Sequence, residues 1–195
     1  MAQQYPLAIY DLDADEQTIR DLVFACNTHS DTSVWISPQN HRGTLTLHSK
    51  THPLSMNYVA DDRNSVLVKL DDPVLKSVLE FVEAAVKAVA PDADKTNDLI
   101  NRDASGKYAD SLKLKTAYTQ FVCAETNERL TAAEALSSRR NRICSWVLQV
   151  YRLNFFRGTW YFSVMLKSAK VSRAAGSPDQ GAGKRKRDDD FTQYL

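Results

Sequence analysis

The sequence predicts a mainly β (α+β) fold, a barrel or sandwich of short strands with one long amphipathic helix among them. Three observations carry this. Short apolar runs of strand length recur between turn-prone stretches from residue 34 onward. Only residues 73–90 sustain apolar positions at helical spacing. Two long β-prone runs, 143–153 and 159–167, are joined by NFFRG with Gly158 at a hairpin turn.

Taken in order, the opening carries Asp11, Asp13, Asp15, Glu16 and Asp21 against Arg20, and a short helix is expected over 16–26 with Ile19, Leu22 and Val23 on one face. Strand signals follow at 34–37 and 43–47, where Leu45 and Leu47 alternate with polar neighbours. The next pair is 57–59 and 66–70, separated by ADDRNS. Asp72 is a natural N-cap and Pro73 sits where a missing N–H costs nothing. Val74, Leu75, Val78, Leu79, Val82, Val86 and Val89 then make one apolar stripe that Pro91 ends. Residues 91–110 are polar and turn-rich and read as a long surface connection.

LKLKTAYTQF reads as one alternating strand, placing Leu112, Leu114 and Tyr118 on one side and Lys113, Lys115, Ala117, Thr119 and Phe121 on the other. In the last run, Trp160, Phe162, Val164 and Leu166 form a core face, and Tyr161, Met165 and Lys167 a mixed, partly exposed one. From Ser172 the chain turns small, polar and charged, and a disordered tail is expected. The organisation read from sequence is therefore an acidic segment over 1–30, a β domain over 31–171, and a basic-then-acidic tail over 172–195.

Composition narrows the function. No apolar run approaches the roughly 18–20 residues that span a membrane, and the opening lacks the basic start and apolar stretch of a secretory signal. Cys26, Cys123 and Cys144 are odd in number and form no CxxC, which fits a reducing compartment rather than a disulfide or zinc framework. His29, His41, His48 and His52 cluster in sequence but match no ligand spacing, so neither metal nor other cofactor is expected. No nucleophile elbow, phosphate loop, dinucleotide fingerprint or HExxH is present, and the chain is not read as an enzyme.

Charge is strongly segregated. Residues 107–173 carry 12 basic and 4 acidic side chains, a net +8 in a chain whose total is +1. Such asymmetry points to a polyanionic partner. Around the hairpin, Trp146, Tyr151, Phe155, Phe156, Trp160, Tyr161 and Phe162 interleave with Arg142, Arg152, Arg157 and Lys167. Unpaired bases stack on aromatic faces while cations track phosphates, so single-stranded nucleic acid needs this mixture. The alternative is that these cations merely solvate a sheet whose aromatics are all buried. The candidate binding set is Lys113, Lys115, Phe121, Arg142, Arg152, Phe155, Phe156, Arg157, Tyr161 and Lys167. In the tail, Lys184, Arg185, Lys186 and Arg187 have the form of a nuclear-import signal. Asp188–190 with Phe191, Tyr194 and Leu195 form an acidic, aromatic-ended terminus suited to a basic pocket on a partner.

SWVLQVYRLNFFRGTWYFSVMLKSAKV resembles the closing hairpin of the single-stranded DNA-binding proteins of large nucleocytoplasmic DNA viruses. The upstream order TLTLHSKTHPLSMNYV, SVLVKLDD, the helix PVLKSVLEFVEAAVKAV and the strand SLKLKTAY is similar too, so the resemblance covers residues 33–171 in order and texture. It implies an OB-fold-like barrel that coats single-stranded DNA in replication and recombination, without sequence preference. Lys113 and Lys115 would stand on the family's basic strand and Trp160 at the tryptophan of its last strand, while Phe155–Gly158 replaces a glycine-richer turn. The tail looks like those that recruit replication proteins, and a nucleus or viral replication site is the implied location. Self-association is left open. Rival readings are a virion or scaffold protein that binds other proteins through the β domain, and an RNA-binding regulator, since stacking alone does not separate RNA from DNA.

Overall fold

The computed structural model describes residues 5–173. The expected disordered tail, the import signal at 184–187 and the acidic terminus lie outside the described residues. The elements are β1 (Leu7–Asp11), α1 (Glu16–Arg20), β2 (Phe24–Ser30), β3 (Ser33–Pro38), β4 (Arg42–Ser49), β5 (Leu54–Val59), β6 (Ser65–Lys69), α2 (Pro73–Lys87), β7 (Ile100–Asn101), β8 (Ser111–Lys115), β9 (Gln120–Cys123), β10 (Arg129–Leu130), α3 (Ala132–Ala135), β11 (Arg142–Phe156) and β12 (Thr159–Ser172). The fold is mainly β with one long helix.

The strand pairing closes on itself. β11 pairs with β5, β5 with β6, β6 with β8, β8 with β12, and β12 returns to β11. β4 and β5 lie in succession along one edge of β11, Leu47 opposite Leu148 and Leu54 opposite Ile143, so they act as one bent strand. Counting them as the first strand, the ring runs 1-2-3-5-4 and back to 1. Its contact between β8 and β12 is parallel and the others are antiparallel. This is the five-stranded Greek-key barrel of OB type. A closed ring removes the free edges that an open sheet exposes.

The alternation of each strand fills the barrel. Leu45, Leu47, Leu54, Met56, Val66, Val68, Leu112, Leu114, Ile143, Leu148, Val150, Val164 and Leu166 point inward and are buried. Trp146 is fully buried and donates from Nε1 to the His52 carbonyl at 2.7 Å. Asp72 caps α2, accepting from the Leu75 amide at 2.9 Å, and Leu75, Val78, Leu79, Val82 and Val86 bury the helix's apolar stripe. Among the described residues no helix is long and apolar enough to cross a membrane.

Several elements differ from the sequence reading. The acidic opening holds strands as well as the expected short helix. Ala8, Tyr10 and Leu12 are buried, β1 runs parallel to β4, and β2 forms a hairpin with β3, so residues 7–30 are continuous with the sheet. Only 16–20 are helical within the expected 16–26. The connection 91–110 contains β7, which pairs with β8. The four histidines part company: His41 bonds Tyr10, His48 faces Asp11, His52 bridges Asp13 and Asp72, and His29 lies against Trp35.

Candidate nucleic-acid interface

The outward face of the barrel carries the candidate site, and cross-strand register builds it. On β6 and β8, Val66 and Val68, Leu112 and Leu114 point inward, which leaves Leu67, Lys113 and Lys115 outside. Tyr58 pairs with Leu67, and Leu67 with Lys113. Across the parallel contact Lys115 faces Met165, and two residues back along both strands stand Lys113 and Ser163. Ser163 pairs with Arg152, Arg152 with Trp35, and Trp35 with Asn27. One row of outward-pointing positions thus runs round the barrel across six strands, from Tyr58 to Trp35, with Ser163 buried at its middle.

A β-bulge shapes the centre of this row. Val150 and Leu153 are both core residues, a separation that strict alternation forbids. The register shift between Val150 and Arg152 resolves the conflict by adding one residue. Tyr151 and Arg152 then both face outward. The Tyr151 ring is buried without belonging to the barrel core. It lies beneath the Arg152 guanidinium at 5.0 Å and the Lys115 ammonium at 5.9 Å, and beside Trp35 at 6.0 Å. Arg152 also stacks over Trp35 at 5.5 Å, and His29 packs on that indole at 4.9 Å. Burial pushes the Tyr151 phenol up, but Lys115 and Arg152 beside it outweigh this and hold it below the usual tyrosine range. The local potential is therefore positive, which favours an anion.

Ion pairing divides the surface. Arg20, Lys76, Lys87, Lys95 and Arg102 each pair with a carboxylate. Among the described residues, Lys69, Lys113, Lys115, Arg152 and Arg157 have no such bridge; Arg42, Lys50, Arg63, Lys107, Arg129, Arg142 and Lys167 have none either, and what sets Lys115 and Arg152 apart is the aromatic rings beneath them. The nearest opposing influence is Asp62 on the β5–β6 loop, whose hydrogen bonds from Asn64 and the charge of Lys113 keep its carboxyl below the ordinary range. A face of cations lined with aromatic rings can neutralise phosphates and stack bases.

The sequence candidates separate accordingly. Lys113, Lys115 and Arg152 come together, with Tyr161 and Phe156 exposed farther along the same side of the hairpin. Lys167 is the extra residue of a second bulge, opposite Val147–Leu148, and is exposed on β12. Arg142 is exposed but stands at the opposite end of β11, paired with Ser55. Phe155 alternates to the other side, against Trp160 at 5.0 Å. Phe121 is a correction. It is 1% exposed, because a turn at 116–119 separates β8 from β9 and resets the alternation, so its ring packs in the core. Trp35, Tyr151, His29, Tyr58 and Leu67 belong to the face but were not among the candidates. The buried pair Val34 and Ile36 is the signal that aims Trp35 outward.

The hairpin tip adds Arg157. Both Arg157 and Gly158 have positive φ, 49° and 83°, as a two-residue type I′ turn requires. Asparagine suits Arg157's position better, yet the arginine stands there with its guanidinium over Phe156 at 5.0 Å. Arg157→Asn is expected to leave the thermal midpoint unchanged or higher. It should also lower the salt slope of single-strand binding by about 0.7 for one lost phosphate contact, read from titrations at several salt concentrations.

No protein-family model matches the chain, and no curated protein matches it. Among solved structures, it is similar to the single-stranded DNA-binding protein from bacteriophage Enc34, with TM-score 0.46, 12% identity, and coverage of 84% of this chain and 96% of that one. The same phage protein in complex with ssDNA gives TM-score 0.45, 12% identity, and coverage of 82% and 99%. Its C-terminal truncation gives TM-score 0.45, 11% identity, and coverage of 83% and 97%. These are bacteriophage proteins, not those of the large nucleocytoplasmic DNA viruses to which the sequence order was likened.

Proposed function

We propose that the protein binds single-stranded DNA, without sequence preference, across the outer face of β6, β8, β12 and β11. The observation that carries this is the unpaired cationic and aromatic row, Lys113, Lys115, Arg152 and Trp35, on a barrel of OB topology. OB barrels use this region, the second and third strands with the loops between strands 1–2 and 4–5, to bind oligonucleotides. Here those loops are the 60–64 turn and the Arg157–Gly158 tip. Phosphates would lie against Lys113, Lys115, Arg152 and Arg157, and bases on Trp35, Tyr161 and Phe156, with Tyr151 as a rigid floor under the cations. No reacting group is needed for such a role, which suits protection of exposed strands during replication.

Fluorescence anisotropy of a labelled oligothymidine, competed by duplex DNA and by RNA over a salt series, tests the reading. Tight binding that weakens steeply with salt and is poorly competed by duplex supports it. Preferential competition by RNA would transfer the same face to an RNA ligand. Absence of binding at low salt would remove the proposal.

A further inference from the structure

The row does not end at Tyr58. Residues 136–140 form the turn that leads into β11, the Asn141 amide donating to the Ser138 carbonyl at 3.1 Å, and 136–139 share a recess with Tyr58 and Val59 of β5. The recess has a volume of about 470 Å³ and is lined by Tyr58, Val59, Leu136, Ser137, Ser138 and Arg139. That volume falls within the range of small-ligand sites. Its aromatic wall, Tyr58, is 52% exposed, a large ring without cover at the end of a cationic face. Arg139 lines the recess and is exposed, and among the described residues it forms no ion pair. The Ser137 hydroxyl is held by the Glu134 carbonyl and that of Ser138 by the Arg140 amide, so what the recess offers a ligand is the Tyr58 ring and the Arg139 guanidinium.

Resting on the single-strand reading above, we infer that this recess is a second anchor for the same strand, taking a base against Tyr58 and its phosphate against Arg139. Followed round the barrel, the row from Trp35 to Tyr58 takes five interstrand steps of about 4.8 Å, an arc of roughly 24 Å at the backbone. A strand filling only the Trp35–Arg152–Lys115 centre does not reach it, and a longer one following the row does. Asp61 and Asp62 flank Tyr58 on the neighbouring loop. They repel a phosphate on that side and direct it towards Arg139. The anchor therefore gives the binding face a length threshold: strands long enough to reach the recess gain affinity beyond that of the central contacts.

The test measures affinity for oligothymidines from about 5 to about 15 nucleotides, a span typical of one OB barrel, with wild type, Tyr58→Ala, Tyr58→Phe and Arg139→Ala. Wild type should show a step in affinity with length. Tyr58→Ala should lose about tenfold on the longest strand, within the range of one stacked base, and nothing on the shortest. Arg139→Ala should act likewise, and Tyr58→Phe should retain the step. Equal loss at every length, or loss at none, overturns the second anchor. If wild type binds no oligothymidine, the single-strand reading itself fails, which is a different result. Unchanged thermal midpoints of the variants establish that folding is not the cause.

Discussion

Replacing Lys115 and Arg152 together by glutamate is expected to abolish single-strand binding, lowering affinity at low salt by on the order of 100-fold or more. The size follows from what these two side chains do. Both stand over Tyr151, and Arg152 also covers Trp35. Charge reversal removes two phosphate partners and plants repulsion at the centre of the row. Arg152 has a second peculiarity, since its Nε is buried without a hydrogen-bond partner. Retained affinity in the double variant would show that strands travel over another part of the barrel. The conservative pair Lys115→Arg with Arg152→Lys is expected to keep part of the affinity, because charge survives while stacking over Trp35 weakens.

How much of this face was legible in the sequence depended on whether strands kept their alternation. β8 did, and Lys113 and Lys115 fell where the pattern put them. The core side of β12 did too, as Val164 and Leu166 show. α2 announced itself through Asp72, Pro73 and an uninterrupted stripe, all of them local signals. Phe121 failed for a local reason that the pattern hides. The Thr116 hydroxyl donates to the Arg63 carbonyl at 2.7 Å and the Thr119 hydroxyl to that of Leu166 at 2.6 Å. These bonds fold a turn where the letters read as continuous alternation. Tyr151 and Arg152 required a bulge, which no turn residue marks. For Trp35 the outward aim was legible from Val34 and Ile36, but its neighbour was not: its partners on β11 lie far along the chain, and pairing at such separation leaves no trace in local periodicity. β1 escaped because LAIYDLDADE looks acidic as a whole, although Ala8, Tyr10 and Leu12 alternate into the core.

Stability turns on a different residue. Glu83 is an acidic side chain of α2 that is 7% exposed. One carboxylate oxygen, Oε2, accepts from the backbone amides of Leu99 and Ile100 at 2.8 and 3.0 Å. Oε1 accepts from the Arg102 guanidinium at 2.9 Å. A single carboxylate thus fixes the start of β7 and, through its pairing of Ile100 with Leu112, the edge of β8 that carries Lys113. Glu83→Ala leaves two buried amides without an acceptor and Arg102 with Asp98 alone, at 3.2 Å, and it opens space beside Leu99 and Ile100. Removal of one partner from such an arrangement costs about 3–5 kcal/mol. That is a large share of the roughly 5–15 kcal/mol that holds a domain together. Urea unfolding monitored by tryptophan fluorescence should show a lower midpoint at an unchanged slope. Glu83→Gln should fall between, because the amide oxygen still accepts one bond while the charge opposite Arg102 is lost. If Glu83→Ala unfolds at the wild-type midpoint, water reaches the Leu99 and Ile100 amides and the segment is held by its apolar contacts instead. Single-strand affinity offers an independent reading of the same variant. At temperatures where it remains folded, loosening of β7 should weaken binding only as far as Lys113 and Lys115 lose their fixed positions, a smaller effect than reversing Lys115 and Arg152.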